Sequence, residues 1–130
     1  MIPKYRAWYK EWKEMGRVGE IRFDLDGSVS VVLFKGNYLD VSGPREKIVL
    51  MQSTGLKDKN GKEIFEKDIL DYKGRKVIVK WHGSYAGFVY EFVDELKNRT
   101  AEWQPLYLSY YKFEVIGNVY ENPELLEVTE

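Results

Sequence analysis

Cationic and aromatic side chains are concentrated in one short stretch, and this combination of residue types can bind nucleic acid. Four cations stand within eight positions, and two aromatic residues follow them: Lys73, Arg75, Lys76, Lys80, Trp81 and Tyr85. Small β-domains can bind single-stranded nucleic acid through a basic groove and aromatic rings on which the bases stack. Lysines that alternate along a strand can also protect a sheet edge against aggregation. The sequence therefore marks these six residues as a speculative nucleic-acid-binding site.

Residues that could carry catalysis are sparse. His82 is the only histidine, so a metal site built from several histidines is excluded. Ser84 lies two residues away, but neighbouring positions on one connector do not orient a catalytic triad, and no Gly-x-Ser-x-Gly elbow is present. Neither Gly55 nor Gly61 begins a phosphate-binding loop, because no Lys-Ser/Thr pair follows it at the required spacing. We therefore predict no enzymatic activity and no catalytic, metal-binding or cofactor-binding residues.

Carboxylates are numerous but do not form a recognisable site. Asp24-x-Asp26-Gly27 resembles the start of a calcium-binding loop, but the bidentate glutamate at the right offset is missing. Pairs such as Asp94/Glu95 cannot be distinguished by spacing from ordinary surface acids. We interpret the acidic residues as solvated side chains and turn residues.

The composition sets the general class of the protein. The 130 residues suffice for one domain, and the net charge of −1 gives no global basic field. No cysteine is present, which excludes disulfides and thiolate chemistry. The sequence contains no apolar run of membrane-spanning length and no signal peptide at its start. We expect a soluble, intracellular protein that does not bind membranes.

Short strands joined by tight turns are the dominant pattern. Residues 20–25 alternate polar and apolar side chains, Asp26-Gly27 favours a hairpin turn, and residues 29–34 form the return strand. Asn60-Gly61 and Lys73-Gly74 predict two further hairpin turns. The strand after the third turn places Val77, Val79 and Trp81 on one face.

The remaining segments are assigned from the same signals. Strands are predicted over 4–9, 46–52, 87–92, 107–111 and 112–120, and loops over 35–45 and 94–104, the second with a frayed helix as an alternative. Residues 8–15 stay open, because Trp8, Trp12 and Met15 also suit one helix face. Asn122-Pro123 predicts a short C-terminal helical turn in which Asn122 is the cap.

These elements predict an all-β fold, a small barrel or pseudo-barrel of short antiparallel strands. The spacing from Gly61 to Tyr120 is typical of an SH3-like barrel. We predict a single domain over 1–130, in which 1–45 contribute N-terminal strands and a hairpin, 46–126 form the barrel core, and 127–130 are an acidic tail.

Two blocks of sequence carry a family resemblance. Residues 49–70 and 113–126 together resemble the conserved blocks of the YopX family of phage and prophage proteins, and Tyr5-Arg6-Ala7-Trp8 is a weaker match. The resemblance implies a mostly β fold, a phage or prophage origin and a location in the cytoplasm of the bacterial host, and it implies no activity, cofactor or catalytic residue. The family pattern usually has glycine where this chain has Lys67, so a local backbone difference is expected there.

The matched residues have a structural interpretation. We predict that Gly55 occupies a sharp turn and that Gly117 marks a bulge or a close backbone crossing. We predict that Asp68 accepts hydrogen bonds from turn amides.

The functional prediction is a phage or prophage accessory protein of unknown function that acts as a non-enzymatic protein-binding or regulatory module. Its partner would be a host or phage protein that the sequence does not name. The alternative is a nucleic-acid-binding module that uses the basic strand and its aromatic residues. Self-association through an open strand edge is also compatible with the pattern.

Overall fold

A computed structural model describes residues 4–35, 40–44, 47–96 and 102–127, with backbone alone for 34–35 and 40–44. The chain forms two compact units, Met1–Gln52 and Ser53–Glu130, which are described separately. All regular elements are antiparallel β-strands or short 3-10 helices, so the all-β prediction is confirmed for the described part of the chain. The predicted single domain over 1–130 stays a prediction.

Unit 1 contains four strands and the first part of a fifth. They are β1 (Tyr5–Tyr9), β2 (Glu14–Phe23), β3 (Val29–Lys35), β4 (Asp40–Pro44) and β5 (Ile48–Lys57). The hydrogen-bonded order is β4-β3-β2-β1-β5. Alternation along these strands places Ala7, Tyr9, Val32 and Ile48 together as a buried cluster.

The first hairpin forms as predicted, and two other predictions for unit 1 need correction. Gly27 closes the β2–β3 turn at φ +89°, a conformation that costs glycine no Cβ strain. Residues 10–13 form a turn between β1 and β2, so the helical alternative for residues 8–15 is wrong. The predicted loop over 35–45 contains β4; positions 36–39 and 45 lie outside the described residues. Pro44 is tolerated in β4 because, among the described strands, β4 pairs with β3 alone and so lies at an edge of its sheet.

Unit 2 contains the second part of β5 and six further strands. They are β6 (Glu63–Phe65), β7 (Asp68–Tyr72), β8 (Arg75–His82), β9 (Gly87–Phe92), β10 (Trp103–Pro105) and β11 (Glu114–Asn118). β6 pairs with the unit 2 part of β5, and the other five strands follow the order β10-β9-β8-β7-β11. Short 3-10 helices occupy Val93–Glu95, Leu106–Leu108, Tyr110–Lys112 and Pro123–Leu126.

One face of the five-stranded sheet carries the main core of unit 2. Seven buried side chains pack there: Ile64, Leu70, Val77, Val79, Tyr90, Leu106 and Phe113. The predicted alternation of β8 is therefore confirmed for Val77 and Val79. The predicted turns at Asn60-Gly61 and Lys73-Gly74 are also confirmed, with Gly61 at φ +84° and Gly74 at φ +88°. Gly55 has φ +77°, but it lies at an irregularity within β5 rather than at a turn.

The barrel prediction is not supported. Among the described strands, β4 and β6 end one series of hydrogen-bonded strands and β10 and β11 end the other, so neither series closes. Barrel closure requires pairing between the first and last strands, which these edges do not make. The SH3-like detail stays a prediction. The predicted strand over 107–111 is wrong, because two 3-10 helices fill this segment.

The C-terminal block forms a bulged strand followed by a short helix. The β11–β7 register shifts between Val115 and Gly117, which confirms the bulge. The predicted helical turn is confirmed as the 3-10 helix Pro123–Leu126. Asn122 is not a side-chain cap for it: its Oδ1 instead accepts a hydrogen bond from the Asn118 N–H at 3.1 Å.

Lys67 adopts the left-handed conformation at the position where the family pattern has glycine. Its φ is +68°, its N–H donates to the Val79 carbonyl, and its own carbonyl accepts from the Val119 N–H. The backbone there is one that glycine adopts without strain, whereas a side chain with a Cβ is strained by about 1–2 kcal/mol.

Lys67→Gly should therefore raise the free energy of unfolding by about 0.5–1 kcal/mol, because relief of strain exceeds the added entropy of the unfolded chain. Urea unfolding measures this difference. The matched control is Lys67→Ala, which removes the same charge but retains the Cβ, and it should leave stability nearly unchanged. An equal gain in both variants would show that the charge, rather than the backbone, is responsible.

Candidate binding surfaces of unit 2

The six residues of the predicted nucleic-acid site divide between the two faces of β8 and the turns beside it. Arg75 and Trp81 share the face of Val77 and Val79, because positions along a strand alternate. Lys76 and Lys80 project from the opposite face. Lys73 precedes the strand at φ +51°, and Tyr85 follows it in the β8–β9 turn. The structure therefore does not gather the six side chains into one groove.

Two of the four cations are held by carboxylates. The Lys80 Nζ lies 3.0 Å from Glu91 Oε2 on the neighbouring strand, in a partly buried pair. The Arg75 guanidinium donates to Asp94 at 3.1 Å and stacks 3.7 Å from the centroid of the Phe92 ring. Both cations have local partners, so the positive potential along β8 is lower than the sequence suggests.

The other two cations are more open. The Lys73 Nζ lies 5.4 Å from the centroid of the Tyr72 ring, and Lys76 stands opposite Asp71 in the β7–β8 register. Within the described residues, neither lysine forms an ion pair. These two ammonium groups are the part of the predicted site that remains available to an anion.

Half-exposed aromatic rings lie at the far end of β8. Trp81 packs edge-on against Phe88 at 5.1 Å, and Tyr85 packs against Trp103 at 5.0 Å. His82 contacts the same Trp103 ring, and its Nδ1 accepts the Tyr85 N–H at 3.1 Å. The His82 imidazole therefore orients the β8–β9 turn from the last position of β8.

An aromatic cavity lies at the other end of the five-stranded sheet, on the face that carries Val77 and Val79. Its volume is about 190 Å³, and six residues line it: Tyr72, Tyr90, Phe92, Ser109, Lys112 and Phe113. Tyr72 ends β7, while Tyr90 and Phe92 are two positions apart on β9, so the sheet presents all three to one face. The chain from Ser109 to Phe113 supplies the other wall.

The rings of this cavity form a continuous edge-to-face cluster. Phe113 contacts Tyr72 at 5.8 Å and Tyr90 at 5.0 Å, and Tyr90 contacts Phe92 at 6.0 Å, all nearly perpendicular. Such ring pairs stabilise the fold by more than the burial of their apolar area alone. These contacts therefore hold the walls of the cavity in place. The sequence does not reveal this cavity, because its walls come from segments that lie far apart along the chain.

The same chain segment carries exposed apolar side chains. In the exposed turn segment, defined as residues 107–112, Tyr107, Leu108 and Tyr111 are 71%, 66% and 56% exposed. The buried side chains of Leu106 and Phe113 hold it at both ends. A strand is predicted for Tyr-Leu-Ser-Tyr-Tyr at residues 107–111, and the lack of period-two alternation in this sequence is the signal against that assignment.

The remaining cavity and side-chain clusters contain few groups that could bind a charged ligand. A cavity of about 490 Å³ in unit 1 is lined by seven residues, none of them charged: Gly27, Ser28, Val29, Val32, Ile48, Val49 and Leu50. Within the described ranges, no three His, Asp or Glu side chains converge as a metal site. The helices in the described part of the chain are three or four residues long, far short of the length that a membrane-spanning helix needs.

Comparison with known proteins identifies the family of the chain. The family described as YopX protein matches residues 4–127, nearly the whole chain. The crystal structure of protein EF1440 from Enterococcus faecalis is similar, with 33% sequence identity and a TM-score of 0.67. That similarity covers 98% of this chain and 99% of the other. No curated protein matches.

Proposed function

This chain belongs to the YopX protein family, and on that premise we propose that it is a phage- or prophage-encoded accessory protein that binds another protein. It would act in the cytoplasm of the bacterial host as a non-enzymatic regulatory module. The partner is a host or phage protein.

The exposed turn segment is the observation that carries this proposal. Tyr107, Leu108 and Tyr111 place two aromatic rings and an aliphatic side chain in solvent within five positions. Clustered exposed apolar side chains mark interaction surfaces, and tyrosine is enriched among the residues that dominate binding energy. The 3-10 helices fix the backbone here, which lowers the entropy that binding would cost.

A pulldown from nuclease-treated host lysate tests the proposal. We expect wild-type protein to retain a reproducible protein partner and the double variant Tyr107→Ser/Tyr111→Ser to lose at least about 90% of it, since each anchor contributes about 1–2 kcal/mol. The matched control is Phe23→Ser/Leu25→Ser, which removes two exposed apolar side chains from unit 1 and should retain the partner. Equal retention by both double variants would exclude the exposed turn segment as the binding surface.

Nucleic-acid binding is the second candidate. It is favoured by the half-exposed rings of Trp81 and Tyr85 and by the open ammonium groups of Lys73 and Lys76. The ion pairs of Arg75 and Lys80 weigh against it. Titration of a fluorescent single-stranded oligonucleotide at two salt concentrations separates the candidates, because phosphate binding weakens steeply with salt. Salt-sensitive binding lost in Lys73→Gln/Lys76→Gln would support this second function.

A second copy of the chain is a further candidate for the protein partner. The strand β10 lies at one end of its sheet, and an open strand edge can pair with a second copy of the chain. Light scattering over a range of concentrations measures this self-association. A constant monomer mass would limit the proposed binding to other proteins.

A further inference from the structure

We propose that the aromatic cavity beside the exposed turn segment anchors one aromatic side chain of the partner protein, with acidic residues next to that side chain. The cavity and the segment are continuous, because Ser109 and Lys112 belong to the segment and line the cavity. The inference rests on the proposed function and names the chemistry of its partner.

The size of the cavity fits a single ring. Its volume of about 190 Å³ exceeds the roughly 150 Å³ of an engineered cavity that holds benzene. Four aromatic residues wall it, and their edge-to-face contacts leave ring edges and faces for a fifth ring. An aliphatic anchor would fill the same space without those contacts, so an aromatic anchor is favoured.

The polar groups of the cavity indicate which residues of the partner lie beside its aromatic side chain. Tyr90 is 9% exposed and lines the cavity, and within the described residues its hydroxyl makes no hydrogen bond. The Ser109 hydroxyl also makes no hydrogen bond within the described residues. Lys112 is exposed at the cavity, lies 5.7 Å from the Tyr111 ring, and forms no ion pair with any described residue.

Two further cations, besides Lys112, lie beside the rings that line the cavity. The Lys73 Nζ lies over the Tyr72 ring and the Arg75 guanidinium over the Phe92 ring, and both rings line the cavity. Arg75 is compensated by Asp94 and Glu95, whereas Lys73 forms no ion pair in the described part of the chain. Lys73 and Lys112 therefore leave an uncompensated positive charge around an apolar cavity, which is complementary to an aromatic residue flanked by carboxylates.

Capped tripeptides test the proposal without the partner. Nuclear magnetic resonance titration of the full chain with acetyl-Glu-Phe-Glu-amide should shift resonances of Tyr90, Ser109 and Phe113. Acetyl-Glu-Ala-Glu-amide should bind at least about tenfold more weakly, because it lacks the ring. Acetyl-Gln-Phe-Gln-amide should bind about threefold more weakly, a modest loss because an exposed lysine contributes little.

A cavity-filling variant supplies the control. Ser109→Phe places a ring in the cavity and breaks no side-chain hydrogen bond within the described residues, so it should abolish binding of acetyl-Glu-Phe-Glu-amide. Ser84→Phe makes the same substitution at an exposed turn of the same unit and should bind as the wild type does. Equal binding of the Phe and Ala tripeptides, no binding, or unchanged binding to Ser109→Phe would overturn the inference. None of these outcomes affects the pulldown, which tests the exposed turn segment separately.

Discussion

Asp58→Asn should lower the free energy of unfolding by about 3 kcal/mol, although it changes only one atom of the side chain. Asp58 is 6% exposed, and its Oδ1 accepts the N–H groups of Asn60 and Lys62 at 2.9 and 2.8 Å. Its Oδ2 accepts the N–H of Val115 at 2.8 Å, 57 positions along the chain. In asparagine the second atom is an N–H₂ donor that faces the Val115 N–H, so a buried donor loses its acceptor.

Urea unfolding of wild type and variant measures this loss. The matched control is Asp71→Asn, a carboxylate on β7 of the same unit, for which no comparable loss is expected. A change below about 1 kcal/mol for Asp58→Asn would show that the Asp58–Val115 bond does not stabilise the fold.

The stabilisation from Asp58 should also depend on pH. Burial raises the pKa of Asp58, but the backbone N–H groups of Val115, Lys62 and Asn60 and the nearby Lys62 charge outweigh it, so the net pKa lies below 3.8. A carboxyl whose folded-state pKa is lowered contributes stability that is present above its ordinary pKa and is lost as the pH falls through the folded value. The difference in stability between wild type and Asp58→Asn should therefore be constant near neutral pH and shrink below about pH 4.

Gly117→Ala should lower the free energy of unfolding by about 2 kcal/mol, because the bulge of β11 leaves no room for a Cβ. A Cβ on Gly117 would lie 2.5 Å from Asn122 Oδ1 and 2.7 Å from its Cγ. The Asn122 side chain cannot move away freely, since its Oδ1 accepts the Asn118 N–H. Thermal or urea unfolding measures the loss.

A double-mutant cycle identifies its cause. In an Asn122→Gly background the clash with the asparagine side chain is absent, so Gly117→Ala should cost less than it does in the wild type. Additive effects of the two substitutions would contradict the steric explanation and would place the loss in the backbone of the bulge.

These two predictions concern the blocks that carry the family resemblance. The Asp58–Val115 bond joins the first block to the second, as do the bonds from the Lys59 N–H to the Phe113 carbonyl and from the Val119 N–H to the Lys67 carbonyl. The pairing of β7 with β11 joins them again. Residues 58–70 of the first block and the second block are therefore joined within unit 2. This agrees with the structural roles predicted for Asp68 and Gly117: the Asp68 Oδ2 accepts the Phe65 N–H at 2.8 Å.

The sequence predicted the features whose signals are local. The turns at Asp26-Gly27, Asn60-Gly61 and Lys73-Gly74 were found because each requires a positive φ that glycine allows. The strand assignment of residues 107–111 failed because aromatic residues favour strands, whereas the chain here forms i to i+3 bonds such as that from the Ser109 N–H to the Leu106 carbonyl.

The features that were missed depend on contacts between distant residues. No local sequence pattern reveals the role of Asp58, because that role depends on a hydrogen bond to the distant Val115. The ion pairs that compensate Arg75 and Lys80 come from residues 91–95, so counting cations along β8 overestimated its basic character. The aromatic cavity likewise combines Tyr72, Tyr90 and Ser109, which no local pattern connects.

Site-specific photocrosslinking in nuclease-treated host lysate tests the central claim most directly, namely that this protein binds another protein through the exposed turn segment. A benzophenone side chain at position 107 or 111 should yield one reproducible protein adduct, while the same group at the exposed positions 25 and 84 should yield none. An adduct that forms at position 84 but not at 107 or 111, or that disappears with nuclease treatment, would contradict this account and favour nucleic-acid binding along β8.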